Sequence, residues 1–346
     1  MGIFEIWLPI AGIKFNIILL VVIGFCVGTL GGFFGVGGAW IVTPALNIFG
    51  FNMSFAIGTD LAHIFGKSII ATRKHNKLGN VDWKLGLTSI VGSIIGVEVG
   101  AQVVMMLEKI GNVGPVVRWL YIVLLFGLGI YMVYDYYSAT RPKKNATSED
   151  QEQIGESSSA LARKLHAFRI PPMMSFPTSG ITSVSFWIIF AIFFLTGFLS
   201  GLLGVGGGFI LLPSLIYLVG CPTTVAVGTS LLSVAFMSGY ACFSYSLKGR
   251  TELVAAGIML MGAAVGAQIG VLATRYVRGL GIRLLFAIMI ICAGASVLLK
   301  QGQESLNSPV LGTIAGYAVM IAAGGMTLLI FLRLINGAKK ERKSHV

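Results

Sequence analysis

A glycine-rich motif that occurs twice constrains this chain more than any other feature of its sequence. The first copy runs from Gly28 through Gly-Val-Gly-Gly at 35–38 to Pro44, and the second runs from Gly197 through Gly-Val-Gly-Gly-Gly at 204–208 to Pro213. Apolar residues flank both copies, so each motif interrupts a stretch that otherwise has the composition of a membrane helix. Glycine allows the backbone to leave helical geometry. In lipid, such a break is tolerated only where the released N–H and C=O groups face protein, water or a ligand. Two breaks at matching places in two halves therefore indicate the binding site of a transporter.

Composition places most of the chain in a lipid bilayer. Hydrophobic residues make up 55% of the 346 residues, charged residues make up 11%, and the mean hydropathy is +0.87. Many uninterrupted apolar runs reach the ~20 residues that a helix needs to cross the hydrocarbon core. The short alternating strands that are typical of a porin-like barrel are missing from the sequence. The sequence therefore predicts an all-α, polytopic helical membrane protein.

The apolar segments form two sets of five, followed by one more. They cover about 15–34, 38–50, 56–72, 85–106 and 116–137, then 182–203, 207–219, 226–246, 253–273 and 282–299, and finally 309–334. The segments at 38–50 and 207–219 are short, which leaves open whether they cross the bilayer fully. The predicted units are a first transmembrane repeat at 1–137, a cytoplasmic linker at 138–180, a second repeat at 181–300, and an extra transmembrane helix with a basic tail at 301–346.

Further sequence matches extend the repeat beyond the glycine motif, at a spacing of roughly 170 residues. Ala-Ile-Gly-Thr-Asp at 56–60 matches Ala-Val-Gly-Thr-Ser at 226–230, and Gly-x-x-x-Gly-Ala-Gln at 96–102 matches the same pattern at 262–268. Because each half contains an odd number of segments, the halves are expected to run in opposite directions across the membrane. This is the inverted-repeat arrangement of many secondary transporters.

Basic residues are distributed unevenly between the two sides that this arrangement predicts. One side carries the loops at 73–84, 141–169 and 275–283 and the tail at 333–343, and it holds most of the lysines and arginines. The positive-inside rule then places the N-terminus outside, and the central loop and C-terminus in the cytoplasm, for a protein of the inner or plasma membrane. Topology thereby explains the net charge of +12 without a nucleic-acid partner.

The central linker has two parts of different composition. Its first part is acidic and serine-rich, which is typical of a flexible segment. In the second part, Leu161, Leu165 and Phe168 fall on one helical face among basic residues. This pattern fits an amphipathic helix lying on the membrane surface, and it fits a disordered basic segment equally well.

Ionisable residues within the apolar segments are few. Asp60, Lys67 and Glu98 lie well inside them, and such groups are costly at membrane depth and mark functional sites. Asp60, His63 and Lys67 are spaced i, i+3 and i+7, so they share one face of a helix, and Glu98 on the next segment is expected to face them. One interpretation is a neutralised cluster that locks two helices together. The other is a coupling site, in which an acid or histidine changes protonation during transport.

The glycine breaks favour an anionic substrate. A short helix is expected to begin near Gly38 and near Gly207, and the N–H groups at its start carry about half a positive charge. Such helix ends bind oxyanions without basic side chains. The neutral side chains expected to add donors are Thr59, Gln102, Thr229, Ser230 and Gln268. The other explanation of the glycines is close packing of helices through small residues.

The sequence contains no pattern that indicates an enzyme, a cofactor or a metal site. No serine, cysteine or histidine constellation suggests hydrolysis, and Gly-Val-Gly-Gly lacks the Lys-Ser/Thr ending of a nucleotide-binding loop. The histidines, which are not at metal-ligand spacing, are His63, His75, His166 and His345. The expected partners are a small anion, the lipid bilayer and a coupling ion, and the sequence leaves open whether copies form a homo-oligomer.

The doubled glycine motif resembles that of the TauE/SafE sulfite-exporter family, also called the toluene sulfonate uptake permease family. Ala-x-Gly-Thr at 56–59 and 226–229, the basic turn before Val81-Asp82, and the helices ending in Gly-Ala-Gln fit this family too. The resemblance covers about 15–299. Departures from the family pattern are Ala39 in place of a third glycine in the first motif, the long central loop and the terminal helix.

The resemblance implies secondary transport, without ATP, of sulfite, sulfate, thiosulfate or an organosulfonate. The binding-site lining that it implies consists of Gly35, Gly37, Gly38, Thr59, Gly204, Gly206, Gly207, Gly208 and Thr229. The residues expected to couple transport to a proton, or alternatively to sodium, are Asp60, His63, Lys67 and Glu98. Two alternatives remain. One is a cation or metal carrier that uses Asp60, His63 and Glu98, and the other is a non-transporting membrane scaffold that recruits a partner through 138–180.

Overall fold

The computed structural model describes residues 4–36, 39–140, 162, 165, 167, 170–204, 206–277, 279–306 and 309–344. Gly37 and Gly38, two of the predicted binding residues, lie outside these ranges. So do most residues of the predicted surface helix at 161–169, which stays a prediction.

The described residues form eleven helices with defined bounds and four short strands. The helices are α1 (Ile17–Phe34), α2 (Ala39–Ile48), α3 (Met53–Lys77), α4 (Trp83–Ile110), α5 (Val113–Thr140), α6 (Phe186–Leu203), α7 (Gly208–Ser214), α8 (Thr223–Leu247), α9 (Leu253–Ala273), α10 (Gly279–Leu306) and α11 (Pro309–Ser344). The strands are β1 (Glu5–Leu8), β2 (Ile13–Asn16), β3 (Met173–Phe176) and β4 (Ile181–Ser185). Short 3₁₀ turns cover Pro177–Ser179 and Thr274–Tyr276, and α7 continues as a π-helical turn at Leu215–Val219.

Among the described helices, eight are long and apolar enough to cross a membrane. This confirms the prediction of a polytopic helical membrane protein. The eight do not include α3, because polar residues such as Asp60, His63 and Lys67 lower its hydropathy. The extra helix predicted after the second repeat is α11, which packs on α10 and against α1 and α2.

Corresponding helices of the two halves begin and end in the same way. The Asn16 side chain accepts a hydrogen bond from Leu19 N at the start of α1, and the Ser185 side chain accepts one from Trp187 N at the start of α6. Both helices end at a glycine in the left-handed region, Gly35 with φ +74° and Gly204 with φ +73°. Glycine adopts this conformation without a steric penalty and therefore ends the helix where the motif begins.

The helices of one half pack mainly on helices of the other. α1 lies along α9, α6 lies along α4, α3 packs on α8, and α5 packs on α10. Small residues allow the first two pairs to approach closely. A Cβ at Gly28 of α1 would lie 2.5 Å from the Ala263 carbonyl oxygen of α9, and a Cβ at Gly197 of α6 would overlap the Ser93 carbonyl oxygen of α4. Helix packing therefore explains the glycines that precede each break.

Each half begins with a β-hairpin that contacts the other half. Ile10 N and Ala11 N of the first hairpin turn donate to Glu252 Oε2, at 2.8 and 3.1 Å, where α9 begins. Ser179, between β3 and β4, donates to Asp82 Oδ2 at 2.7 Å, where α4 begins. The sequence analysis predicted neither hairpin, and β3 lies inside the stretch assigned to the linker.

These contacts define two ends of the helical bundle. The hairpin-1 end contains β1–β2 and the connections at 49–52, 111–112 and 248–252. The hairpin-2 end contains β3–β4 and the connections at 78–82 and 220–222.

Candidate functional site

The two glycine breaks pack against α3 and α8. Gly206 has φ +62°, and a Cβ there would lie 3.0 Å from Ile64 of α3 and 3.2 Å from Val234 of α8. A Cβ at Gly35 would overlap the carbonyl oxygen of Val227, and one at Gly204 would lie 2.7 Å from a methyl group of Ile57. Each break therefore packs against the Ala-x-Gly-Thr segment of the opposite half. Gly207, with φ +72°, caps α7, and Gly208 is its first residue.

Thr59 and Thr229 join the two halves. Both are fully buried. Thr59 Oγ1 accepts a hydrogen bond from Glu252 N at 3.0 Å, and Thr229 Oγ1 accepts one from Asp82 N at 2.9 Å. Each threonine thus holds the start of a helix whose N-cap residue, Asp82 or Glu252, also accepts hydrogen bonds from a hairpin. These hydroxyl groups therefore have a structural role in addition to any contact with substrate.

Ser230 holds the end of α1. Its hydroxyl group donates to the carbonyl oxygen of Gly35 and to that of Val227, so it fixes the first break against α8. Among the described residues, Ser230 is the predicted neutral donor whose side chain hydrogen-bonds to a break.

The structure does not bring Gln102 and Gln268 to the breaks. Both side chains are exposed. Gln102 donates to Glu98 at 3.2 Å, and Gln268 donates to the Ala264 carbonyl oxygen at 3.3 Å on its own helix. The reason is helical periodicity, because α4 turns Gly100 towards α6, and a residue two positions later points away from that contact. In this structure neither glutamine therefore contacts a glycine break, and a role for either in the site stays a prediction.

Glu98 is likewise separate from the buried cluster on α3. Its carboxylate accepts hydrogen bonds from Tyr240, Ser244 and Lys248 of the α8 region, at 3.2, 2.8 and 3.4 Å. Its side chain is 32% exposed. Glu98 does not face Lys67 as expected, because this part of α4 packs against the second half of α8 rather than against α3.

Asp60, His63 and Lys67 lie together, fully buried, at the first break. Asp60 Oδ2 accepts a hydrogen bond from Thr43 of α2 at 3.0 Å, and His63 Nδ1 lies 3.4 Å from Asp60 Oδ1. The Lys67 ammonium lies against Gly31, 3.3 Å from the place that a Cβ would occupy. A Cβ at Gly31 would also lie 2.8 Å from the Val36 carbonyl oxygen, which belongs to the break itself. The predicted helical face is therefore a real cluster, and it contacts the glycine motif.

The second break has an uncharged counterpart of this cluster. The positions that correspond to Asp60, His63 and Lys67 are Ser230, Ser233 and Met237. Met237 Sδ lies 2.9 Å from the place that a Cβ would occupy at Gly207. The two breaks therefore have similar geometry, but among these corresponding residues only those at the first break are charged.

Comparison with known proteins identifies the family. The family described as Sulfite exporter TauE/SafE matches residues 20–297, which is most of the chain. The chain belongs to the TauE/SafE sulfite exporter family. As a member, it is a membrane transporter that handles a small substrate within a lipid bilayer.

Curated relatives of this TauE/SafE protein carry transporter names. It is 27% identical over 293 residues to "Probable membrane transporter protein YunE" of Bacillus subtilis, covering 82% of this chain and 97% of that protein. It is 29% identical over 204 residues to "Probable membrane transporter protein MJ0441" of Methanocaldococcus jannaschii, covering 57% and 60%. A "Probable membrane transporter protein" of Xylella fastidiosa strain 9a5c is 26% identical over 257 residues, covering 73% and 82%. No solved structure matches the chain significantly.

Two side chains that the sequence analysis did not assign to the site hold the broken helices of this TauE/SafE protein. His75 Nε2 lies 3.0 Å from the Gly32 carbonyl oxygen, and the Tyr245 hydroxyl group donates to the Gly201 carbonyl oxygen at 2.7 Å. Both donors are fully buried, and they occupy corresponding places on α3 and α8. Carbonyl groups in the last turn of a helix lack intrahelical partners. These side chains therefore supply a hydrogen bond to a carbonyl group near the end of α1 and near the end of α6.

Replacing His75 with tyrosine is expected to preserve stability better than replacing it with phenylalanine. Tyrosine supplies the hydroxyl donor that the second half uses, whereas phenylalanine leaves the buried Gly32 carbonyl oxygen without a partner, at a cost of about 1–3 kcal/mol. Thermal unfolding of the purified variants, with Tyr245→Phe as the matched loss in the second half, measures this difference. Equal stability of His75→Tyr and His75→Phe would contradict a capping role for His75.

Proposed function

We propose that this TauE/SafE protein is a secondary active transporter of a sulfur-containing anion, coupled to protons. The substrate class comprises sulfite, sulfate, thiosulfate and organosulfonates. The family description supports this class. The observation that carries the proposal is the packing of both glycine breaks against α3 and α8, beside a buried cluster that contains Asp60, His63 and Lys67.

Alternating access follows from the arrangement of the halves. The paired breaks hold the anion near the bilayer midplane, where the two repeats meet, as in transporters built from inverted repeats. Movement of one half against the other then exposes the anion to one side of the membrane and afterwards to the other. The direction of net transport depends on the ion gradients and on the relative free energies of the two states.

Proton coupling is assigned to the cluster at the first break. Asp60 and His63 can exchange a proton, and both are buried next to the Lys67 charge. Glu98, with its partners on α8, has no part in this proposal. The excess of basic residues in the loops of the hairpin-2 end supports an orientation with that end in the cytoplasm and the hairpin-1 end outside, in the inner or plasma membrane.

Thermal stabilisation of the purified protein by a panel of ligands tests the proposed substrate class. The panel contains sulfite, sulfate, thiosulfate, two sulfonates, phosphate, chloride and divalent cations at fixed pH and ionic strength. A ligand present at ~100 times its dissociation constant stabilises the folded protein by ~2.7 kcal/mol. We expect selective stabilisation by a sulfur anion.

A matched pair of variants locates the binding site. Gly206→Ala adds a Cβ between Ile64 and Val234, whereas Gly249→Ala adds one at a similar φ (+66° against +62°) where no atom lies within 4 Å. Stabilisation by the anion should disappear in Gly206→Ala and persist in Gly249→Ala. Stabilisation by divalent cations alone would contradict the proposal and favour a cation carrier, although the described residues contain no group of three or more His, Cys, Asp or Glu side chains that could hold a metal ion.

A further inference from the structure

Lys67 has a buried amino group that the described protein atoms do not hydrogen-bond. The residue is 1% exposed, and Nζ has no hydrogen-bond partner among the described residues. Removing an ammonium group from water costs several kcal/mol unless an opposite charge and hydrogen bonds replace the solvent. The Lys67 ammonium therefore lacks the partners that a buried cation normally has.

The nearest candidate partners are already engaged. Asp60, seven residues earlier on α3, accepts from Thr43 and lies against His63, and the described contacts include no ion pair between Asp60 and Lys67. At the end of α1, the Gly31 carbonyl oxygen accepts from Gly35 N at 3.0 Å, and the Gly32 carbonyl oxygen lies in the His75 hydrogen bond. None of these oxygens forms a hydrogen bond with Lys67 Nζ, and Asp60 acts on Lys67 only as a nearby opposite charge.

His63 presents a second unsatisfied nitrogen one helical turn before Lys67. His63 Nε2 is buried and has no partner in the part of the chain that the structure describes. With Asp60 ionised, its carboxylate only accepts hydrogen bonds, so a neutral His63 ring donates from Nδ1 and has a lone pair on Nε2. Because residues four positions apart are neighbours on a helix face, Nε2 and the Lys67 side chain border the same space. Binding a proton converts Nε2 into a donor.

Few charged side chains of the described residues border this cluster. The titratable or charged groups around His63 are Asp60 and Lys67 on α3, and Tyr121 of α5, whose hydroxyl group donates to the Leu203 carbonyl oxygen at 2.9 Å. The segments of α1, α2, α8 and α9, which pack against α3, contain no aspartate, glutamate, lysine, arginine or histidine. The helices α4 and α5 also contact α3, and of their charged residues, Glu98, Glu108, Arg118 and Asp135 each contact a side chain outside this cluster. In addition, α2 begins at Ala39 just after the break, and the start of a helix favours an anion.

We propose that Lys67 and protonated His63 bind the anion directly, and that each monovalent oxyanion enters the site together with one proton on His63 Nε2. Lys67 is then a ligand for the substrate, and not only the counter-charge of Asp60. With neutral His63, the charges of Asp60 and Lys67 sum to zero, and a monoanion plus a proton leaves that sum unchanged. Coupling follows, because Nε2 repels the oxyanion with its lone pair until it is protonated. This inference rests on the proposed function and specifies its ligands and its proton.

The test measures anion affinity as a function of pH. The probe is an organosulfonate whose own charge is constant between about pH 6 and 8, the range in which histidine titrates. Binding to the full-length purified protein is measured by calorimetry in two buffers with different ionisation enthalpies, which also gives the number of protons taken up. At the alkaline end of this pH range, the affinity of the wild-type protein for the sulfonate should fall by close to tenfold for each pH unit. Close to one proton should be taken up with each anion bound.

Three variants separate the contributions of the two ligands. His63→Gln places a permanent amide donor at this position, so its affinity should become independent of pH. Lys67→Met copies the residue at the corresponding place in the second half, and its affinity should fall at least tenfold at every pH. Glu98→Gln, whose carboxylate binds Tyr240 and Ser244 away from the breaks, is the control and should bind as the wild-type protein does. Size-exclusion chromatography checks that each variant is folded. If Lys67→Met does not fold, it is replaced by Lys67→Arg, which keeps the charge and should retain binding.

The outcomes distinguish this inference from the proposed function. Binding of the sulfonate with unchanged affinity by Lys67→Met, or loss of binding by a folded Lys67→Arg, overturns the role of the Lys67 charge. A wild-type affinity that does not vary with pH overturns the role of His63. Either result leaves the protein a sulfur-anion transporter. If the folded wild-type protein binds no sulfur anion at all, the proposed function itself fails.

Discussion

Replacing Gly35 with alanine is expected to lower the free energy of unfolding by about 2–5 kcal/mol. Gly35 has φ +74°, and an L-residue in the left-handed region costs roughly 1–2 kcal/mol. The new methyl group would also overlap the backbone of Val227, which cannot move without displacing α8, and overpacking costs about 1–3 kcal/mol. Thermal and denaturant unfolding of the purified protein measures the loss.

Gly79→Ala is the matched control for the Gly35 substitution. Gly79 has the same φ of +74°, but no atom lies within 4 Å of the place that its Cβ would occupy. This variant should therefore lose only the roughly 1–2 kcal/mol that belongs to the backbone conformation. If both variants are equally stable, the close approach of the first break to α8 does not contribute to stability.

Replacing Asp60 with asparagine is expected to abolish proton-driven accumulation of the anion. In proteoliposomes with a pH difference of two units, transport of one proton with each monoanion can accumulate the anion about 100-fold, because each unit is worth 1.36 kcal/mol. Asparagine can still accept the Thr43 hydrogen bond, but it removes the negative charge that stabilises a protonated His63. The accumulation ratio should fall towards one, whereas exchange of labelled for unlabelled anion should continue.

Glu98→Gln provides the comparison for Asp60→Asn. Glu98 also lies within a membrane-spanning helix, but its partners are Tyr240, Ser244 and Lys248, and its side chain is partly exposed. This variant should accumulate the anion as the wild-type protein does. Full pH-driven accumulation by Asp60→Asn would exclude Asp60 from coupling. Loss of accumulation in Glu98→Gln would restore Glu98 to the coupling residues.

Hydropathy predicted the helices well, because it depends only on residues that are close together in the chain. The segment predicted at 85–106 is α4 at Trp83–Ile110, and the segment predicted at 253–273 is α9 with the same bounds. The hairpins were missed because each strand has only four or five residues and its stability depends on contacts made elsewhere. The hydrogen bonds from Ile10 N to Glu252 and from Ser179 to Asp82 join residues that are far apart in the chain.

Parts of the candidate site followed from the sequence, and parts required the packing of distant helices. Helical spacing correctly grouped Asp60, His63 and Lys67. The positions of Glu98 and Gln102 depend on which neighbour α4 packs against, and spacing within one helix does not contain that information. The repeat did not point to His75 and Tyr245, because the two residue types differ. Both nevertheless donate a hydrogen bond at corresponding positions. A comparison of hydrogen-bonding capacity between the halves, instead of residue identity, would have found them.

The packing of each half on the other has a consequence for biosynthesis. As the chain leaves the ribosome, α1 enters the membrane with its glycine face exposed, since the matching surface at Met259, Ala263 and Ala267 belongs to α9. The polar helix α3 inserts equally early, although α8 and α9, which cover it, are made later. A buried lysine and aspartate are costly in lipid, and α3 therefore depends on helices that have not yet been translated. Nascent chains that stop after the first half should consequently be substrates for membrane quality control, and the second half acts as the partner that lets the first half remain in the bilayer.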